Sequence, residues 1–134
     1  MTAVDNDGDG DCFPESFIVH YPGLTADEVR EKVYTRLISS PDRPKYEESF
    51  RTLLISDEAT HLASSYQKHV DGLKVGLLPK QYFTSLEIEV MLDEFDCHAR
   101  FYSATGIYEI RSTKPGASKF PVYQFARLED PHTF

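Results

Sequence analysis

The chain has 134 residues, of which 40% are hydrophobic, and its 14 basic and 22 acidic side chains leave a net charge of −8. That size and composition fit one globular domain able to bury a core, while the charge argues against a nucleic-acid backbone as partner and favours neutral or basic ones. Two cysteines are too few for a disulfide framework and predict a reducing, cytosolic setting; no apolar run nears the roughly 18 residues of a membrane helix, and MTAVDNDGDG lacks the basic start and apolar middle of a secretory signal.

The first feature along the chain is DNDGDGDCFPES, residues 5–16. Asp5, Asp7 and Asp9 fall on the first, third and fifth positions of a calcium loop, with Gly10 at the sharp turn. A true EF-hand also needs an entering helix and an acid at the twelfth position. Here only Met1 to Val4 stand before Asp5, and the twelfth position is Ser16. The segment therefore predicts an adventitious cation contact at most, with no dedicated metal site and no cofactor. In the other reading the acidic, glycine-rich stretch is a cradle for Cys12.

Phe13 to Val19 is apolar enough for a short buried helix, with Pro14 tolerated in its first turn, and Tyr21-Pro22-Gly23 ends it. Thr25 suits an N-cap, Asp27 and Glu28 suit the positive end of a helix dipole, and Val29, Val33 and Leu37 recur at helical spacing, so 26–39 is predicted as an amphipathic helix. Pro41-Asp42-Arg43-Pro44 is predicted as a linker. Lys45 to Ile55 and Asp57 to Val70 are expected as two more helices, with Phe50, Leu53 and Leu54 on one and Leu62, Tyr66 and Val70 on the other. Leu86 to Phe95 is a further helix with Ile88, Met91, Leu92 and Phe95 along one face. Ala99 to Ser103, Ile107 to Arg111 and Val122 to Leu128 are short, aromatic or β-branched, and separated by Gly106 and Lys114-Pro115-Gly116, as strands are. Helices first and strands last predict a single α+β domain over 1–134, with helices packed on a small, mostly antiparallel sheet.

A cysteine after Gly-Asp at the start of a helix meets the positive helix end, which favours thiolate. Gly8 and Gly10 permit turns that aim N–H groups at a developing oxyanion. The surrounding carboxylates oppose thiolate, so a base must come from elsewhere in the chain; the alternative is an ordinary buried cysteine. A Cys/His hydrolase draws its base from a distant histidine. Of the five, His20 follows an apolar helix, His61 and His69 are expected on the surface of a polar helix, His98 follows Cys97 at a helix-to-strand junction, and His132 comes after the last strand, where a loop can present a base.

Asp9-Gly10-Asp11-Cys12-Phe13 resembles the Asp-Gly-x-Cys box of the ovarian-tumour (OTU) family of cysteine deubiquitinases. A second block, Ser65 to Val70, Gln81-Tyr82-Phe83, the Leu86–Leu92 helix and Ala99 to Tyr102, is similar to that family's middle region. A third, Val122 to Leu128 running into His132-Thr133-Phe134, is similar to its closing strand and His-aromatic motif. The three blocks lie in the family's order and span nearly the whole chain.

The resemblance implies a papain-type protease fold with Cys12 as nucleophile, His132 as general base, Asp9 shaping the oxyanion loop, and amides near Gly10, Asp11 and Cys12 facing the oxyanion. Two positions depart from the pattern. Thr84 stands where the family usually has Gly, and Phe134 stands where an Asp or Asn commonly orients the imidazole. Asp5, Asn6 or Asp7 supplies that third member from the N-terminal side, or the enzyme works as a dyad. The implied activity is hydrolysis of isopeptide bonds after the C-terminal glycine of ubiquitin or a ubiquitin-like modifier, by a monomer in the cytoplasm. The short chain is similar to compact OTU domains of viral polyproteins, which would act in the host cytoplasm against conjugates of its immune response. The alternatives are a polyprotein-processing protease with the same dyad and a catalytically silent ubiquitin-binding module.

Overall fold

The computed structural model describes residues 2–3, 12–56, 62–77, 81, 83–103 and 106–126. Five helices precede most of the sheet: α1 (Cys12–Phe17), α2 (Ala26–Ser39), α3 (Arg43–Leu54), α4 (Tyr66–Asp71) and α5 (Ser85–Phe95). The strands are β1 (Thr2–Ala3), β2 (His98–Ser103), β3 (Gly106–Ile110) and β4 (Val122–Ala126). The class is α+β, and among the described residues no helix is long and apolar enough to cross a membrane.

The helix ends follow from side chains that answer orphan backbone groups. Thr25 opens α2 with a capping box: its Oγ1 accepts from Glu28 N at 3.1 Å, and Glu28 Oε1 accepts from Thr25 N at 3.1 Å. Thr84 opens α5 the same way. Glu87 Oε1 accepts from Thr84 N at 2.8 Å and from the Thr84 hydroxyl at 2.9 Å. The Thr that departs from the family's Gly is thus a helix cap. The predicted linker at 41–44 is shorter than expected, because α3 already starts at Arg43 and keeps Pro44 in its first turn, where a missing N–H is harmless. Of the helix predicted over 57–70, only Tyr66 onward is helical within 62–70. Ser65 caps it by accepting from Lys68 N at 3.3 Å; residues 57–61 lie outside the described residues.

Val29, Val33 and Leu37 of α2, Leu86, Val90 and Met91 of α5, and Phe13 and Phe17 of α1 share one core with Ala99, Phe101 and Phe125 of the sheet. Each of these side chains other than Ala99 contributes about 1.5–3 kcal/mol by leaving water.

The sheet corrects the expectation of a mostly antiparallel arrangement. Its order is β1-β4-β2-β3; β1 pairs with β4 and β4 with β2 in parallel, and only the β2–β3 hairpin is antiparallel. The cause is the return from β3. Gly116, at φ 79°, leads a 3-10 turn over Ala117–Lys119 that carries the chain back across the sheet end. The carbonyl of Pro121 then accepts from His98 N at 2.8 Å, and β4 starts beside β2 in the same direction.

A buried carboxylate fixes this return. Asp93 of α5 is fully buried and accepts from Lys45 Nζ at 2.9 Å, the Tyr46 hydroxyl at 2.8 Å and the Ser112 hydroxyl at 2.6 Å. Three hydrogen bonds to one ion answer its desolvation. They tie α3 and α5 to the segment that sets the direction of β4.

Candidate active site

Cys12 is the first residue of α1, a six-residue helix. Its neighbour Phe13 is fully buried, with ring centroids 5.8 Å from Phe101 of β2 and 5.1 Å from Phe125 of β4. Four residues on, Phe17 reaches Phe125 again at 6.5 Å. The i, i+4 pair anchors the helix to the parallel strands and fixes where its first residue stands. Ser16, the residue that would have closed a calcium loop, is buried within this helix.

The side chain of Cys12 lies outside the described residues, as do Asp5, Asn6, Asp7, Asp9, Gly10, Asp11 and His132. The flanks of both segments are placed. Strand β1 lies beside β4 in parallel, with Thr2 opposite Phe125 and Ala3 opposite Ala126. The acidic segment therefore leaves Ala3, and the segment bearing His132 leaves Ala126, from register partners at one end of the sheet. His132 stands six positions after Ala126, a reach of up to about 20 Å at roughly 3.3–3.6 Å per residue. The same strand end is held against α1 through Phe125 and Phe13. The described residues thus bring the two flanks together rather than the two side chains.

Of the other histidines, His61 lies outside the described residues. His98 is buried: its Nε2 donates to Ala117 O at 2.6 Å, and its Nδ1 accepts from Ser112 N at 3.0 Å. Both nitrogens are spent on the return from β3, so the ring is a brace in the fold. His20 is half-buried, stacked on Tyr123 at 4.6 Å and edge-on to Phe125 at 5.2 Å. Burial holds its pKa below the ordinary value, against a backbone hydrogen bond with Gln124 that raises it. Along α1 and the 3-10 turn of Ile18–His20, helical rise separates it from Cys12 by roughly 13 Å.

His69 corrects the expectation of a surface residue, being fully buried. Its Nε2 lies 3.0 Å from Glu87 Oε2, and Gln81 Nε2 lies 2.9 Å from its Nδ1. The signal was present in the sequence. Tyr66, His69, Val70 and Leu73 follow the i, i+3, i+4, i+7 spacing of a buried stripe. Asp93 was missed likewise; it stands seven residues after buried Leu86, two turns along the same helix face, and a carboxylate there requires buried donors.

The second cysteine, Cys97, is a free, buried thiol. Burial, with a smaller contribution from Asp96, pushes its pKa up to about 12, which makes it a poor nucleophile. Among the described residues no three His, Cys, Asp or Glu side chains form a metal-binding group. No protein-family model matches the chain, and no curated protein matches it either.

Proposed function

We propose that the chain is a thiol isopeptidase of the ovarian-tumour type, with the papain-like arrangement of that family. Cys12 is the nucleophile, His132 the base, and ubiquitin or a ubiquitin-like modifier in the cytosol the substrate. The observation that supports it is the register of Ala3 with Ala126: the segments bearing the acidic loop and His132 start side by side, next to the helix that Cys12 opens.

In this mechanism His132 takes the thiol proton, and the thiolate attacks the carbonyl after the modifier's terminal glycine. Amides of the Asp9–Cys12 loop hold the oxyanion. Collapse breaks the C–N bond as His132 gives its proton to the leaving lysine amine. Water, deprotonated by His132, then hydrolyses the thioester and frees Cys12. Asp5, Asn6 or Asp7 orients the imidazole from the neighbouring segment. His98 and His69 are hydrogen-bonded inside the fold and Cys97 is buried, which speaks against these three as the reactive thiol or base.

Ubiquitin carrying a C-terminal electrophile tests the assignment. Wild type gains one modifier mass, Cys12→Ala gains none, and His132→Ala reacts on the order of 10² to 10⁴ times more slowly. Labelling of Cys12→Ala at the wild-type rate overturns the nucleophile; ubiquitin binding without labelling points to a silent binding module.

A further inference from the structure

Away from that site, a buried histidine and carboxylate join α4 to α5. Besides its contact with His69, Glu87 accepts two hydrogen bonds from Thr84, so the carboxylate is held on both oxygens. The Phe50 ring of α3 covers His69 at 5.5 Å. Among the described residues, the titratable and charged groups around the imidazole are few. From α5 comes Glu87. From α2 comes Arg30, whose Nη2 donates to Gln81 O at 2.9 Å. From α4 comes Tyr66, whose hydroxyl donates to Leu37 O at 2.7 Å. From α3 come Arg43 and Glu47, which act on Tyr66, as Glu87 does.

Gln81 Nε2 lies 2.9 Å from Nδ1 and 3.3 Å from Nε2; with the amide donating to the nearer Nδ1, the ring is neutral and its Nε2 proton faces Glu87. A protonated ring has two donors, and its Nδ1–H needs an acceptor. The Gln81 amide carries one in Oε1, reached by rotation about its last side-chain bond. Gly72 leaves room for that amide, since a Cβ there would stand 2.5 Å from Gln81 Oε1.

We propose that His69, Glu87 and Gln81 form a proton-operated latch between α4 and α5, in which a solvent proton taken up at Nδ1 turns the Gln81 amide from donor to acceptor and converts the hydrogen bond between a neutral ring and the Glu87 carboxylate into a buried ion pair. Burial alone lowers the His69 pKa, but the charge and hydrogen bond of Glu87 outweigh it, leaving the value above the ordinary imidazole range. A folded-state pKa above the unfolded one stabilises the folded chain fully below about pH 6.5, and this stability is lost as pH rises through the folded value. The latch is tight in acid and slackens toward alkaline pH, with α4 the element released.

An NMR titration of the His69 ring in the full chain, run with amide hydrogen exchange of α4, tests this. The expected midpoint lies above about 6.5, with both ring nitrogens protonated below it. Protection of the α4 amides, corrected for intrinsic exchange, falls across that midpoint by the ratio of the unfolded to the folded acid constants. Glu87→Gln moves the midpoint down, and His69→Gln removes the pH dependence of α4. A ring that stays neutral to about pH 5, or that titrates without changing α4 protection, overturns the latch. The wild-type titration decides the matter even where a variant fails to fold.

Discussion

The ring of Phe13 lies 5.1 Å from that of Phe125, so the helix that Cys12 opens and the strand that leads toward His132 meet in one aromatic contact. Phe101 joins them at 5.8 Å and 5.6 Å, a spacing at which tilted and stacked rings gain beyond their buried area. Phe125→Ala is expected to cost about 3–5 kcal/mol, the range for a buried aromatic deleted from a packed core. Phe125→Leu should cost less, because it refills part of the cavity. Urea midpoints at unchanged m-value measure both; equal midpoints for Phe125→Ala and wild type would show that this contact does not hold the site's flanks together.

The two cysteines should differ sharply in reactivity. Only thiolate reacts with iodoacetamide, and burial pushes Cys97 up to about 12. The folded chain at neutral pH is expected to take one label, mapped by mass spectrometry to Cys12, and the chain in denaturant two. Cys97 is reached in the folded state only as pH climbs toward its raised value or as the core opens. A label on native Cys97 at neutral pH contradicts this.

Asp93 offers a test of the buried network. Removing one partner of a buried pair costs about 3–5 kcal/mol because it strands the other. The Lys45 side chain is 33% exposed while Asp93 is 0% exposed, so the lysine can turn to water and the cost of Asp93→Ala falls near the lower end. Tyr46 and Ser112 lose an acceptor each. Asp93→Asn keeps one acceptor oxygen, which serves one of the two hydroxyls that donate to separate oxygens of Asp93, and is expected to recover about 1 kcal/mol of the loss. Chemical denaturation of the two variants side by side measures the difference, and equal losses would show that the hydroxyl bonds contribute nothing.

What the sequence made legible was what local periodicity and caps determine. The 26–39 helix is found at its predicted bounds, because Val29, Val33 and Leu37 mark one face and Thr25 marks the start. The β2–β3 hairpin is likewise local, closing with Ser103 opposite Gly106. The direction of β4 was not legible. It depends on a return held by Asp93, Ser112 and His98, residues 19 and 14 positions apart in the chain, and no window of sequence carries that pairing. His69 looked exposed because Gln67, Lys68 and Asp71 surround it in sequence, whereas its own position falls on the buried stripe. The proposed pair of Cys12 and His132 rests on motif resemblance, and the described strands add that the acidic segment and the segment bearing His132 leave neighbouring strands.

Gly72→Ala sets two effects of opposite sign against each other. Gly72 has right-handed backbone angles, φ −70° and ψ −13°, so alanine fits there and should stabilise by about 0.4–1 kcal/mol through the unfolded chain. The new Cβ, however, would stand 2.5 Å from Gln81 Oε1. That atom ends a flexible side chain and can withdraw, but it takes Nε2 with it and strips His69 Nδ1 of its donor at 2.9 Å. Leaving a buried ring nitrogen unanswered costs about 1–3 kcal/mol, which outweighs the gain, so Gly72→Ala should lower the melting temperature in the wild-type background. In a Gln81→Ala background the obstacle is gone and the same substitution should raise it. That change of sign in a double-mutant cycle reports the Gly72–Gln81–His69 coupling directly; the same sign in both backgrounds would show that the glycine is there for some reason other than the amide.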